Sequence, residues 1–270
     1  MPFTHSLSPV IFSLGPFALR WYSLVYVLGF LLAYWLLRQI AKEGRIKNLD
    51  EEGVEEFVTW LILCSIIMAR LTYVIVYNPA YFLATPWKVI AVWEGGLSFH
   101  GGFLGAILAG LWFCRKRKVR FYDLGDFLVV PFSLILVFGR LANFVNGELP
   151  GRVTSVPWCI NYSRYEGCRH PSQFYEAGKN LLLFFVLLAL YAKEEWRKKL
   201  KAGSIFWLFI ILYGLGRFLT DFWRAPDPTD FTLASTGLLV GQWLSLAMGL
   251  TGVSVLAWLY RQRFFNATKK

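Results

Sequence analysis

The stretch GSIFWLFIILYGLGRFLTDFW, residues 203–223, decides how this chain must fold. It approaches the ~20 apolar residues that an α-helix needs to cross a bilayer. On a helical wheel, Arg217, Asp221 and the following Arg224 fall within about 80° of Tyr213 and form one polar stripe. Each Arg inside a bilayer costs about 2.5–3.5 kcal/mol unless it faces a protein interior or a wet cavity. The stretch therefore predicts a membrane-spanning helix whose stripe meets an anion.

Composition extends this prediction to the whole chain. Of its 270 residues, 56% are hydrophobic and 17% are charged, and several apolar stretches approach spanning length. We predict an all-α, polytopic integral membrane protein of seven transmembrane helices: 19–37, 57–77, 97–114, 124–140, 172–192, 203–223 and 237–260. The fifth has a continuous apolar core only over 181–192, and a helical start near Pro171 and Ser172 is needed to lengthen it.

The basic residues are concentrated in alternate loops, and they give the chain a net charge of +11. Because short basic loops stay cytoplasmic, this alternation places the N-terminus outside and the C-terminus in the cytoplasm. The loop residues are Arg38, Lys42, Arg45 and Lys47; Arg115, Lys116, Arg117, Lys118 and Arg120; Lys193, Arg197, Lys198, Lys199 and Lys201; and Arg261, Arg263, Lys269 and Lys270.

This distribution argues against nucleic-acid binding, because the charge is divided among short loops beside spans instead of lying on one soluble face. Anionic lipid headgroups are the expected neighbours of these loops. Residues 1–16 lack the basic start and the cleavage site of a removable signal peptide, so the first span is expected to be the membrane signal. We predict one transmembrane domain, residues 1–270, with an exterior loop at about 143–171.

The histidines and cysteines predict neither a metal nor a cofactor, because none of them shows metal-ligand spacing. Cys159 and Cys168 both lie in the exterior loop. An oxidising exterior allows a disulfide there, but the spacing alone leaves the pairing open. Glycines 101, 105 and 110 give the third helix rows of small residues, which allow close approach of a neighbouring helix.

Given this topology, polar side chains from five helices converge on the outer half of the membrane. The inner halves of the helices are plain Leu, Ile, Val and Phe, so the site is expected to open toward the outer leaflet. An anion transporter also places arginine inside a membrane, but it needs polar residues that continue to both faces. The converging residues are Trp21, Tyr22, Arg70, Tyr73, Tyr77, His100, Arg140, Asn143 and Arg217.

Several of these polar residues have ordinary structural alternatives. The alternatives are snorkelling for Arg70, an aromatic belt for Tyr22, helix-end packing for His100, capping for Asn143 and ion pairing for Glu148.

Arg140 and Arg217 are harder to explain structurally. Two neighbouring cations need a counter-charge, and the fixed acids available to them from the sequence are Glu148 and Asp221.

The run GRLANFVNGELPGR, residues 139–152, resembles the signature of the bacterial prolipoprotein diacylglyceryl transferase family. Ala142 departs from it, since Gly is common there. Asp221 departs as well, because the family usually carries Glu there, and Asp shortens the reach of the carboxylate by one methylene. Further similar stretches follow the family's order along nearly the whole chain: RWY at 20–22, SFHGG at 98–102, HPSQFYE at 170–176, YGLGR at 213–217 and RAPD at 224–227.

The resemblance implies an inner-membrane enzyme with seven helices and an exterior N-terminus. It implies transfer of a diacylglyceryl group from phosphatidylglycerol to the lipobox cysteine thiol of an exported prolipoprotein. The products are a thioether and glycerol phosphate, and no cofactor or enzyme cysteine takes part. Guanidinium groups suit the developing phosphate charge, which makes Arg140 and Arg217 the catalytic candidates.

The resemblance also implies roles for other residues. Tyr22 and His100 are catalytic candidates, and whether His100 takes the thiol proton or the arginine field activates the thiol stays open. The substrate-binding candidates that it implies are Asn143, Glu148, Gly151, Tyr213 and Arg224. Arg70 is a further candidate because of its place among the converging polar residues.

Overall fold

The structure is a computed structural model that describes residues 3–14, 17–226 and 237–267. The chain divides into two compact units. The large unit contains residues 1–33 and 125–270, and the small unit contains residues 34–124. Each unit is described by itself below.

The described residues are mostly helical, with short strands near the N-terminus and in the segment between the fifth and sixth helices. The helices are α1 Trp21–Lys42, α2 Glu51–Thr72, α3 Pro79–Ala84, α4 Phe99–Arg117, α5 Phe121–Val145, α6 Ser172–Ala192, α7 Glu194–Lys199, α8 Ser204–Thr220 and α9 Val240–Ala267. The strands are β1 Phe3–His5, β2 Val10–Leu14, β3 Phe17–Arg20, β4 Ile160–Tyr162 and β5 Cys168–Arg169.

A helix forms in each of the seven predicted spans, and the described residues include five that are long and apolar enough to cross a membrane. These five are α1, α2 with its π-helical extension to Tyr77, α5, α6 and α9. The polytopic all-α prediction is thereby confirmed at this level. Helix α8 has 17 residues because it ends at Thr220, so its predicted end at 223 was too late.

In the small unit, α2 and α4 pack with their backbones close together. A Cβ added at Gly101 would collide with the carbonyl oxygen of Met68, and one added at Gly105 would collide with that of Cys64. The close approach predicted from the glycine row is therefore confirmed at these two positions. At Gly110 an added Cβ would meet only the Phe121 ring, at 3.9 Å.

The start of α2 binds several of the residues in the basic loops. Asp50 caps the helix by accepting a hydrogen bond from the Gly53 amide at 2.7 Å. Glu56 pairs with Lys116 and, at 2.6 Å, with Nε of Arg117. Each of these two cations therefore also has a carboxylate partner within the protein.

In the large unit, a carboxylate from α5 caps the first turn of α8. Asp126 Oδ2 accepts from the Gly203 amide and Oδ1 from the Phe206 amide, each at 2.7 Å. Because the first amides of a helix have no partners within it, a buried acceptor on another helix fixes where α8 begins. Helix α8 also packs against α6 and α9, and this fixes the direction of its polar stripe.

The segment between α5 and α6 is held in place by strand pairing and a disulfide. Strand β4 pairs parallel with β1 and antiparallel with β5. Cys159 and Cys168 form a disulfide across this hairpin, with their Cα atoms 5.5 Å apart. The pairing that the sequence left open is therefore made, and it holds the loop that enters α6.

Candidate functional site

The carboxylate of Glu176 on α6 is the centre of a buried charge cluster in the large unit. Its side chain is 2% exposed. Arg217 Nη1 lies 2.5 Å from Oε1, while Lys179 Nζ lies 3.1 Å and Arg140 Nε 3.5 Å from Oε2. Thr220 donates a further hydrogen bond to Oε1 at 3.2 Å. Helices α5, α6 and α8 are thus joined by one acid.

Asp221 extends the cluster beyond the end of α8. Its Oδ1 lies 3.0 Å from Arg217 Nη2 and 3.9 Å from Arg224 Nη1. Arg224 is no longer helical and forms a β-bridge with Gly151. The stripe predicted on one helix face is therefore real, but its last member lies past the helix. We call Arg140, Glu176, Lys179, Arg217, Asp221 and Arg224 the Glu176 cluster.

The Glu176 cluster carries an excess of positive charge. Among the residues that the structure describes, its ion pairs join four cations to two carboxylates, so the six members together carry two more positive than negative charges. The exposed fractions of the cation side chains are between 14% and 20%. Partly buried cations in excess favour binding of an anion. The anion site inferred from the stripe thus has a physical basis in the structure.

Glu176 and Lys179 were missed as cluster members from the sequence. The acids proposed to balance Arg140 and Arg217 were Glu148 and Asp221, but the described ion pairs run to Glu176 and Asp221. A signal for Glu176 was present, since α6 carries a row of buried polar residues at helical spacing: Ser172, Gln173, Glu176 and Asn180.

Arg140 keeps hydrogen-bonding capacity for a ligand. Its guanidinium meets Glu176 only through Nε, at 3.5 Å, and its side chain is 20% exposed. Among the described residues none accepts a hydrogen bond from its two Nη groups. Arg217, in contrast, holds Glu176 and Asp221 with Nη1 and Nη2. Arg140 is therefore the better placed of the two to add contacts to an anion.

Gly151 is a point of close approach between three segments. Its amide donates to the His170 carbonyl at 2.8 Å. A Cβ added there would lie 2.5 Å from the Trp223 carbonyl oxygen and 2.7 Å from that of His170. Only glycine fits, which holds Arg224 beside the segment that follows α5.

Two other candidates from the 139–152 run interact with each other. Asn143 is buried at the end of α5, and its Nδ2 donates to Glu148 Oε2 at 3.4 Å. The backbone carbonyl of Glu148 accepts from Gln173 Nε2 at 2.6 Å. The turn between Asn143 and Glu148 is therefore fixed against the start of α6, the helix that carries Glu176.

The remaining candidates of the large unit are Tyr213 and Tyr22. The Tyr213 ring lies under the Lys179 ammonium, whose Nζ is 4.6 Å from the ring centroid. Tyr213 therefore contacts the Glu176 cluster directly. Tyr22 is half-buried at the start of α1. Asp227, the last residue of the RAPD stretch, lies outside the described residues.

Arg70 and His100 belong to the small unit. His100 is an exposed residue in the first turn of α4, after the Ser98 cap. Arg70 is 6% exposed, so the snorkelling interpretation is wrong. Its guanidinium donates to five backbone carbonyls, those of Lys88, Val89, Ala91, Gly95 and Gly96.

These five bonds use every N–H that an arginine side chain has. They leave Arg70 no donor for a substrate and make it the anchor of the segment between α3 and α4. Sequence spacing cannot reveal this role, because the carbonyls lie 18 to 26 residues further along the chain.

His170 supports the start of α6. Burial lowers the pKa of His170 below the ordinary histidine value, because the charged imidazolium loses solvation there. Its Nδ1 lies 3.1 Å from the Tyr175 hydroxyl, which also accepts from Trp158 Nε1 at 2.7 Å. The HPSQFYE stretch thus holds in place the turn from which Glu176 projects.

Together, the apolar helices and the partly buried cations of the Glu176 cluster define a multi-pass membrane protein with a charged cluster between its helices. The family model for prolipoprotein diacylglyceryl transferase matches residues 9–258. Phosphatidylglycerol–prolipoprotein diacylglyceryl transferases from three bacteria illustrate the similarity. The Geobacter sulfurreducens protein is 43% identical over 97% of this chain and 99% of its own length.

The Rhodospirillum rubrum protein is 42% identical over 94% of this chain and 93% of its own length. The Vibrio vulnificus protein is 41% identical over 98% of this chain and 96% of its own length. The chain belongs to the prolipoprotein diacylglyceryl transferase family. The resemblance drawn from the sequence motifs is confirmed.

Proposed function

We propose that this chain transfers the diacylglyceryl group of phosphatidylglycerol to the lipobox cysteine thiol of prolipoproteins. A bond forms between the cysteine sulfur and the glyceryl carbon, and the bond between that carbon and its phosphate oxygen breaks. The electron pair stays on glycerol phosphate, and the thiol gives up its proton. The observation that carries the proposal is the Glu176 cluster, whose excess positive charge suits a phosphate leaving group.

The proposed roles of the cluster follow from the charge that develops. Phosphate in the lipid is a diester with one negative charge, and the released monoester carries about 1.5 to 2 negative charges at pH 7. Arg140 and Arg217 stabilise that gain, and Arg224 supports it through Asp221. Tyr22, Asn143, Glu148, Gly151 and Tyr213 shape the headgroup pocket in this proposal.

A transfer assay tests the function. Purified protein in phosphatidylglycerol vesicles is expected to add one diacylglyceryl group to a lipobox peptide, as measured by mass spectrometry. A peptide with serine in place of the cysteine, and vesicles of phosphatidylcholine alone, are the controls. Unmodified peptide in phosphatidylglycerol vesicles, with protein that elutes as one folded species, would contradict the function.

We also propose an exterior N-terminus, a cytoplasmic C-terminus and a site toward the outer leaflet of the bacterial inner membrane. The alternation of basic loops supports this orientation. The disulfide between Cys159 and Cys168 supports an oxidising surrounding for the segment between α5 and α6.

Cysteine labelling checks the orientation. In a background without Cys64 and Cys114, single cysteines at Trp87 and Val153 are expected to react with a membrane-impermeant maleimide in intact cells. Both side chains are exposed. Cysteines at Lys118 and Lys199 are expected to react only after the cells are opened. Labelling of the Lys118 position in intact cells would reverse the proposed orientation.

His100 is proposed as the group that takes the thiol proton. A thiol with a pKa of about 8.5 is mostly protonated at pH 7, and a general base contributes about 10²–10⁴-fold to such a step. His100→Gln is therefore expected to lower the transfer rate at least a hundredfold. The rate should recover partly as the pH rises toward the pKa of the thiol, because the thiolate then forms without a base. A variant within a few-fold of wild type and with an unchanged pH profile would show that the arginine field activates the thiol instead.

A further inference from the structure

Lys179 is a member of the Glu176 cluster that none of the sequence motifs contains. It lies one turn after Glu176 on α6, and its side chain is only 14% exposed. Burying an ammonium group is expensive unless it is paired. The buried ammonium group of Lys179 therefore needs specific partners that offset the cost of its burial.

Three contacts hold the lysine side chain in place. Its Nζ lies 3.1 Å from Glu176 Oε2 and 4.6 Å from the centroid of the Tyr213 ring. Its stem runs across Gly216 of α8, where an added Cβ would lie 2.5 Å from Lys179 Cδ and 2.8 Å from Cγ. The ammonium is thus held by a carboxylate and an aromatic face, and the stem fills the space that a glycine leaves.

Lys179 and Arg140 compete for one carboxylate oxygen of Glu176. Lys179 and Arg140 share the same carboxylate oxygen, and the lysine is the closer of the two, at 3.1 Å against 3.5 Å. Without the ammonium, no other cation among the described residues would compete with Arg140 for Oε2, and the attraction between Arg140 and Glu176 would favour a closer contact. The guanidinium would then be less available to a second anion.

The charge of Lys179 matches a specific stage of the proposed reaction. With Lys179 the Glu176 cluster has two positive charges in excess, and without it only one. One positive charge suffices for the phosphodiester of the lipid substrate. The monoester product carries about 1.5 to 2 negative charges, so the second positive charge is needed only as the bond to the glyceryl carbon breaks.

We infer that Lys179 is a positioning residue that tunes the site to the leaving phosphomonoester and not to the lipid substrate. It does so by supplying the second excess charge and by keeping Arg140 from closing on Glu176. The inference rests on the proposed transferase function.

The test compares Lys179→Met, which keeps the length of the stem without its charge, with Lys179→Arg. In Lys179→Met, kcat is expected to fall about 10- to 100-fold while KM for phosphatidylglycerol stays within about threefold. The inhibition constant of glycerol phosphate should rise by about tenfold, because a dianion loses more than a monoanion. Lys179→Arg should stay within about threefold of wild type on all three measures, since the positive charge remains beside Glu176.

Lys193 offers a matched control. It lies over the Trp196 ring at 4.6 Å, as Lys179 lies over Tyr213, but it is exposed in the segment after α6. Lys193→Met should leave all three constants unchanged. If Lys179→Met does not fold, Gly216→Ala takes its place in the test. It keeps every charge and displaces only the lysine stem. It should weaken glycerol phosphate inhibition by at least about threefold.

Two results would overturn the inference. One is unchanged kcat and unchanged glycerol phosphate inhibition in folded Lys179→Met, or in Gly216→Ala if the first variant does not fold. The other is an equal loss in Lys179→Met and Lys179→Arg, which would assign the effect to packing and not to charge. Wild-type protein that does not modify the peptide at all would contradict the transferase function itself, so the two failures are distinguishable.

Discussion

Alanine at Arg217, and separately at Arg140, is expected to lower transfer at least about 10³-fold while the protein stays folded. Both guanidinium groups meet Glu176, and Arg217 also meets Asp221. Their charge is needed mostly as the leaving phosphate develops, so the loss should appear in kcat. Lysine at either position should rescue poorly, because an ammonium lacks the planar two-pronged hydrogen bonding of a guanidinium. The measurement is the initial rate of peptide modification in phosphatidylglycerol vesicles.

Arg120 is a matched control for these two variants. It is an arginine whose side chain is 75% exposed and which pairs with Asp123 just inside α5. Arg120→Ala should leave the transfer rate within about twofold, as expected of an exposed ion pair. Near-normal rates in both Arg140→Ala and Arg217→Ala would remove these residues from the phosphate site.

Replacing Glu176 with alanine is expected to destabilise the protein by about 3–5 kcal/mol, because it leaves buried cations without their counter-charge. Arg140, Lys179 and Arg217 all meet this one carboxylate. Unfolding in detergent, followed by fluorescence, measures the loss. Glu194→Ala is the control, since Glu194 forms an exposed i,i+4 pair with Lys198 and should cost less than about 0.5 kcal/mol.

A double variant separates charge repulsion from the loss of packing. Adding Lys179→Met to Glu176→Ala removes one of the unbalanced cations. The double variant should therefore lose less unfolding free energy than the sum of the losses in the two single variants. Strict additivity would show that Lys179 and Glu176 do not interact.

The membrane-spanning helices were predictable because long apolar runs leave the backbone few alternatives in a bilayer. The stripe of Tyr213, Arg217, Asp221 and Arg224 was predictable for a similar reason, since charge in an apolar run needs a partner. The helix end was not. Asp221 caps the last turn of α8 through its backbone amide, which bonds to Arg217 O at 3.1 Å. Helical periodicity alone does not mark such an end.

Partners that lie far apart in the sequence explain what was missed. Glu176 meets Arg217 across 41 residues, and their proximity follows only from how α6 packs against α8. Arg70 was placed in the site because it shares a helix face with Tyr73 and Tyr77 in the predicted outer half of the membrane. Its five carbonyl partners belong to a segment of short 3-10 helices and turns, which the sequence pattern does not predict.

The disulfide shows the same limit at short range. Cys159 and Cys168 are close in sequence, but the pairing of β4 with β5 is what brings their Cα atoms to 5.5 Å, a distance that a disulfide can bridge. The strands of this hairpin are too short to show the alternating hydrophobic pattern from which strand pairing could be predicted.

The most direct test of the account is a structure of this protein with phosphatidylglycerol bound. We expect the lipid phosphate to lie within hydrogen-bonding distance, about 3 Å, of the Arg140 guanidinium. It should lie on the side of Arg217 that faces away from Asp221, with Lys179 still on Glu176. A phosphate bound elsewhere, with no contact to Arg140 or Arg217, would contradict the account.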